Sequence, residues 1–263
     1  MSALLGDIGT IEWSRRTNGI LGRGERARYI AAFALAMTKA TPRLMLAKAG
    51  MRGSGPDPSE LTPPDTPFAK EVVEACKELG PMVIEHSYRS YIYGRALGVA
   101  GGIECDEEAL FAATMFHDHG FGEIERLSDR CFTAVGAEAA ERLMDGSSLD
   151  HASRHDVLDA ITLHFNPTVP PQQGAVQHLT HDGVLLDVAG ARSWELDPAG
   201  VRRVAERHPR HGFTVDAEPV LRAHVGRVPG CRVAAAFRAG FGQALALSSW
   251  RGADRATAAG AAA

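Results

Sequence analysis

The sequence predicts an all-α protein, and three observations carry that expectation. Apolar residues recur at helical spacing from Phe68 to Leu79, where Val72, Val73, Cys76 and Leu79 fall largely on one side. Helix punctuation stands where helices should start and stop: Gly80-Pro81, Asp106 ahead of Glu107, and Gly120 after a long apolar run. Alternating strand-like runs are scarce.

At 263 residues and 45% hydrophobic content, the chain can bury a sizeable core as one large domain or two small ones. A net charge of -4 argues against a nucleic-acid binder working by bulk charge. Cys76, Cys105, Cys131 and Cys231 form no CxxC pair, which points to reduced, buried thiols in a cytoplasmic protein. Asp7, Glu12, Arg15 and Arg16 interrupt any signal-peptide core. The longest apolar stretch, Ile30 to Met37, is too short to span a bilayer, so no membrane association is expected.

Residues 1–24 show no sustained period and read as an arm with short turns. Residues 25–49 read as one amphipathic helix, or as two broken near Thr41-Pro42. Met37, Leu44 and Leu46 there either pack on the core or meet a second copy in a homo-oligomer. Five prolines make 52–67 a linker or surface loop. Helices are then expected over 68–79, 82–100, 107–117, 136–144 and 150–164, with loops at 121–132 and 165–180. A short helix at 184–191 and weaker ones near 198–207, 216–225 and 231–247 follow. The organisation expected is a helical arm with a Pro-rich linker over 1–67, a helical domain over 68–250, and a flexible Ala/Gly tail over 251–263.

The chemistry is expected at the end of the run from Ala109 to Phe116, which closes in His117-Asp118. An imidazole and a carboxylate brought side by side out of water are costly unless paired or bound to a metal. Both are good ligands for a divalent cation. Gly120 is placed as a left-handed C-cap that leaves the pair at a rim. Two other His-Asp dipeptides have weaker settings: His155-Asp156 falls early in a helix, and His181-Asp182-Gly183 reads as a turn. Upstream, His86 and Arg89 are three apart and share a helical face. Downstream, Asp187 lies in an apolar segment and needs a partner, whether a metal or an ordinary hydrogen bond.

His86, then His117-Asp118, then Asp187 resembles the H…HD…D signature of the HD-domain superfamily of metal-dependent hydrolases. The text around the signature is more specific. His86-Ser87-Tyr88-Arg89-Ser90-Tyr91 resembles the first motif of the cyanamide-hydratase-like branch. So does Arg130-Cys131-Phe132-Thr133-Ala134-Val135-Gly136-Ala137-Glu138-Ala139-Ala140, and Ile161-Thr162-Leu163-His164 has a counterpart there. The likeness covers about residues 70–192.

That resemblance implies an HD-type helical bundle in which His86, His117, Asp118 and Asp187 surround one metal. Zinc is the first choice, with iron or manganese as alternatives. His151 and His164 lie where some members hold a second ion. His164 could also act as a proton shuttle or substrate contact, and His119 as a proton-transfer residue. Arg89, Arg126 and Arg130 are candidates to hold an anionic substrate, while Phe121, Phe132 and Phe165 could wall a small pocket.

The function expected is that of a metal-dependent hydrolase or hydratase, in which a metal-bound water attacks a small molecule such as a nitrile or cyanamide. Three alternatives stand beside it. A phosphohydrolase would need the arginine cluster, a dinuclear iron oxygenase would need both His151 and His164, and a non-catalytic ligand-binding module would have no turnover.

Overall fold

The computed structural model describes residues 2–48, 55–122, 128–252 and 254–255. Its helices in chain order are α1 (Ser2–Leu5), α2 (Ile11–Thr17), α3 (Arg23–Lys48), α4 (Pro67–Cys76), α5 (Pro81–Gly101), α6 (Glu107–Phe116) and α7 (Phe132–Met144). They continue as α8 (His151–Leu163), α9 (Ala175–Ala189), α10 (Pro198–Arg207), α11 (Phe213–Arg227), α12 (Arg232–Arg238) and α13 (Phe241–Leu247). No strand forms among the described residues. One isolated bridge joins Ile20 to Cys231. The protein is all-α, as its periodicity predicts. No helix among the described residues is long and apolar enough to cross a membrane.

Helix starts follow the capping chemistry. Thr66, Asp106, Asp150 and Asp197 each accept a hydrogen bond from a backbone N–H in the first turn of the helix that follows. Gly80-Pro81 begins α5 rather than ending α4: Gly80 is the N-cap and Pro81 occupies the first helical turn, where its missing N–H is harmless. α3 runs through Pro42 without a break. Thr38, whose carbonyl loses its helical donor to the proline, is exposed and open to water. Within 52–67, Pro58–Glu60 forms a 3₁₀ turn with Pro58 buried, and Asp57 and Ser59 bond Arg203 of α10.

Two regions depart from the expected pattern. The anticipated loop over 165–180 ends early, because α9 already begins at Ala175, and His181-Asp182-Gly183 is helix interior rather than turn. α9 is buried on most sides, so its apolar positions show no one-sided period. The tail expected from 251 begins instead as helix: Arg251, Gly252, Asp254 and Arg255 are helical and Asp254 is buried, while 256–263 lie outside the described residues.

One core lies among α4–α9 with Leu196, Val201 and Val204. A second joins Leu5, Ile8, Trp13, Leu21, Tyr29 and Phe33 of the N-terminal segment to α12, α13 and the start of α7. The segment from Leu5 to Phe33 therefore contributes to a shared core. Arg232 lies where the two parts meet: fully buried beside the Trp13 ring, it donates to Asn166 Oδ1, Thr133 Oγ1 and the Thr162 carbonyl. Side chains at Leu44 and Leu46 lie outside the described residues, while Met37 packs against the second core. All four cysteines are free. Burial pushes the Cys76 thiol up to about 12.

Candidate metal centre

Close backbone approach sets the register of the site. A Cβ on Gly183 would lie 2.1 Å from the Ser90 carbonyl oxygen, and one on Gly94 would lie 2.6 Å from that of Leu179. Helices α5 and α9 thus touch backbone to backbone, which only glycine permits. His86 is carried on α5 and Asp187 on α9. α6 ends at Phe116, with His117 as its C-cap and Asp118 at φ -107°, ψ 12°. Gly120 is not the left-handed cap expected of it. Its Cβ would fall 2.4 Å from the Phe132 carbonyl oxygen, so the glycine lets the turn after Asp118 press against α7.

Three imidazoles meet at this point with their protons committed elsewhere. His117 Nδ1 donates to the Thr114 carbonyl at 2.6 Å, and His164 Nδ1 donates to that of Ile161 at 2.8 Å. His86 Nδ1 donates to Asp187 Oδ2 at 2.6 Å. A neutral imidazole with its proton on Nδ1 carries a lone pair on Nε2. Nε2 of His86 and Nε2 of His117 lie 3.1 Å apart. Asp118 Oδ2 is 3.3 Å from the second and 3.8 Å from the first. Two nitrogen lone pairs and a carboxylate oxygen in such contact repel unless a proton or a metal ion lies between them. His86, His117 and Asp118 could hold a metal ion, with ligand atoms all within 4.8 Å of one another. Ligand bonds of roughly 2.0–2.2 Å place neighbouring ligand atoms about 2.9–3.6 Å apart, close to this spacing.

The charges at this point act on one another. Burial disfavours the Asp118 carboxylate, but His117, with His86 and His164 beyond it, outweighs burial and holds the carboxyl well below the usual range. Burial opposes charge on His117, yet Asp118 raises it above an ordinary imidazole. His164 goes the other way, kept neutral by burial and by the neighbouring His117. Its Nε2 lies 3.9 Å from Asp118 Oδ1, at the margin of the three-residue group. The histidine side chains are at most 2% exposed and that of Asp118 is 15% exposed, so the centre meets solvent on the Asp118 side.

Asp187, expected as a fourth ligand, stands instead behind His86. Its Oδ1 accepts from Arg89 Nε at 2.8 Å and from Arg210 Nη1 at 2.5 Å. Its Oδ2 accepts from His86 Nδ1 and from Arg89 Nη2 at 2.9 Å. Four donors occupy the carboxylate's roughly four lone-pair sites. Burial opposes its ionisation, but the Arg210 and Arg89 charges hold it well below the usual carboxylate range. Arg89 is likewise no substrate contact: it is fully buried, and its remaining Nη1 donates to the His208 and Pro209 carbonyls.

Other expected residues disperse. His151 is exposed at the start of α8 and His164 follows its end, so about 20 Å of helix separates them and one ion cannot take both. His155 pairs with Glu12 at 2.9 Å on the surface. Arg130 forms a two-pronged pair with Glu138, at 2.8 and 2.5 Å. Arg126 lies outside the described residues. The His119 ring stacks on Phe116, centroids 5.2 Å apart. Phe121 stacks on Phe132 at 4.3 Å, and Phe132 and Phe165 both pack edge-on to His164, so the expected aromatic wall does adjoin the centre. Sequence reasoning missed Phe213, which stacks on His86 at 4.1 Å, and Arg210. The run His208-Pro209-Arg210-His211 was the one cue, a basic cluster beside a proline.

No protein-family model matches this chain, and no curated protein matches it.

Proposed function

We propose that this chain is a metal-dependent hydrolase or hydratase of HD type, acting on a small molecule at His86, His117 and Asp118. The observation that carries the proposal is the 3.1 Å approach of His86 Nε2 and His117 Nε2, each ring fixed through its Nδ1–H, with the Asp118 carboxylate beside them. Two nitrogens and an oxygen suit zinc, iron or manganese. When bound, such an ion would act as a Lewis acid and make its water acidic near neutral pH.

The chain's own residues supply the rest. Asp187 fixes the His86 tautomer, and a carboxylate on Nδ1–H makes Nε2 the better donor. The Thr114 carbonyl does the same for His117. His164, held neutral by burial with Nε2 3.9 Å from Asp118 Oδ1, presents a lone pair that can accept a hydrogen bond from water or substrate beside Asp118. Phe121, Phe132 and Phe165 limit water beside it.

An uncharged substrate with an electrophilic carbon fits better than a phosphate ester. Arg89 and Arg130, two of the three arginines that could have bound a phosphate, are engaged by Asp187 and Glu138. The test is hydration of cyanamide to urea, and of small nitriles to amides, alongside a panel of phosphate esters. Turnover by wild type and its loss in Asp118→Ala supports the proposal. Equal rates in the two proteins contradict it.

A further inference from the structure

The charged groups behind His86 do not stop at Asp187. Arg210 holds that carboxylate with Nη1, and its opposite edge lies on Asp254, Nε to Oδ1 at 2.9 Å and Nη2 to Oδ2 at 3.1 Å. Nη2 also donates to the Asp187 carbonyl at 3.1 Å. The guanidinium is covered by the Trp250 ring at 4.5 Å. Asp254 Oδ2 further accepts the backbone N–H of Thr214 at 3.0 Å and its hydroxyl at 2.6 Å, tying down the first turn of α11. Phe213, the residue before Thr214, is the ring stacked on His86. Asp254 thus bears on His86 by two routes, through Arg210 and Asp187 to Nδ1, and through Thr214 and Phe213 to the ring face.

The charges balance as a set. Arg89 and Arg210 face Asp187 and Asp254, all four buried. Without the Asp254 charge, two guanidinium groups bear on Asp187 alone. They draw electron density from the oxygen that accepts the His86 proton, which weakens Nε2 as a donor, and they leave an excess positive charge beside the cation site. Both effects lower affinity for a metal ion.

We propose that Asp254 is a positioning residue for the metal ligand His86, acting through Arg210, Asp187 and Phe213. The proposal rests on the metal-centre reading above. It brings the C-terminal segment, far from every motif, into the site.

The test uses full-length protein without an affinity tag: wild type, Asp254→Asn, Asp254→Glu and His117→Ala. Zinc affinity is measured by chelator competition, and the Co²⁺ form by its visible absorption. Folding is checked by circular dichroism. Asp254→Asn is expected to bind zinc about tenfold more weakly, the lower end for groups behind a metal ligand. Its Co²⁺ bands should shift, and Asp254→Glu should recover most of the affinity. A folded Asp254→Asn with wild-type affinity and an unaltered Co²⁺ spectrum overturns the proposal and leaves the metal reading intact. Wild type that binds neither ion, or binds them as His117→Ala does, overturns the metal reading itself. Should Asp254→Asn not fold, Arg210→Lys keeps the charge but cannot span both carboxylates; a spectrum and affinity unchanged there would also overturn the proposal.

Discussion

His86 and Asp187 stand 101 positions apart in the chain and meet through a 2.6 Å hydrogen bond from Nδ1 to Oδ2. That bond converts a buried histidine into a directed Nε2 donor, and it exists because Gly94 and Gly183 let α5 and α9 touch. The carboxylate that accepts it is also the partner of two buried arginines. Stability and the proposed metal chemistry are therefore joined at one side chain, and the two can be separated by experiment.

Asp187→Asn removes the charge that both arginines share while keeping the volume. Breaking a buried ion pair from one side costs about 3–5 kcal/mol. Urea denaturation should show a loss of that order. A loss under about 1 kcal/mol would contradict a buried charge shared by both arginines.

Gly183→Ala places a methyl 2.1 Å from the Ser90 carbonyl oxygen and 2.8 Å from the Gly94 nitrogen. Backbone cannot swing aside as a side-chain end can, so α5 and α9 must separate. Overpacking of this kind costs about 1–3 kcal/mol or more. Thermal unfolding should fall by several degrees, and metal affinity should fall with it as His86 and Asp187 are pulled apart. An unchanged midpoint would contradict the close approach.

His224 gives the protein an acid-sensitive element behind the aromatic wall of the centre. Its ring packs edge-on to Phe121 and Phe132, centroids 5.7 and 5.5 Å away, and its Nε2 makes no hydrogen bond. Burial, with Arg227 nearby, pushes it down to about 4 from an ordinary 6.5. Between these values the unfolded chain binds a proton that the folded chain refuses, so stability falls as pH drops from 6.5 towards 4. The ceiling from this one group is on the order of 3 kcal/mol. Denaturation at pH 7 and pH 4.5 should show the loss, and His224→Phe should flatten it. Equal slopes in the two proteins would assign the acid sensitivity elsewhere.

Much of this arrangement was legible in the chain, and the exceptions have physical causes. The Asp106 cap and the apolar run to Phe116 led to His117-Asp118 because capping and periodicity are local. The start of α9 was hidden because a helix buried on most sides has no polar face to set its period, and because Gly183 reads as a turn until the neighbouring backbone is seen. The position of Asp187 behind His86 depends on Arg210 and Asp254, which lie in segments with no motif. His151 and His164 both offer an imidazole to a second ion, but α8 holds them apart. Asp254 sits among alanines and glycines, where composition suggests a tail and only the fold supplies its partners.

The measurement that bears most directly on the centre is the metal content of tag-free protein purified without added metal, wild type beside His117→Ala. The account predicts about one divalent ion per wild-type chain and little in the variant, since three ligands and water complete a single site. Wild type with no metal, and none taken up on titration with zinc, manganese or ferrous iron, would contradict it. The 3.1 Å contact between His86 and His117 would then be bridged by a proton.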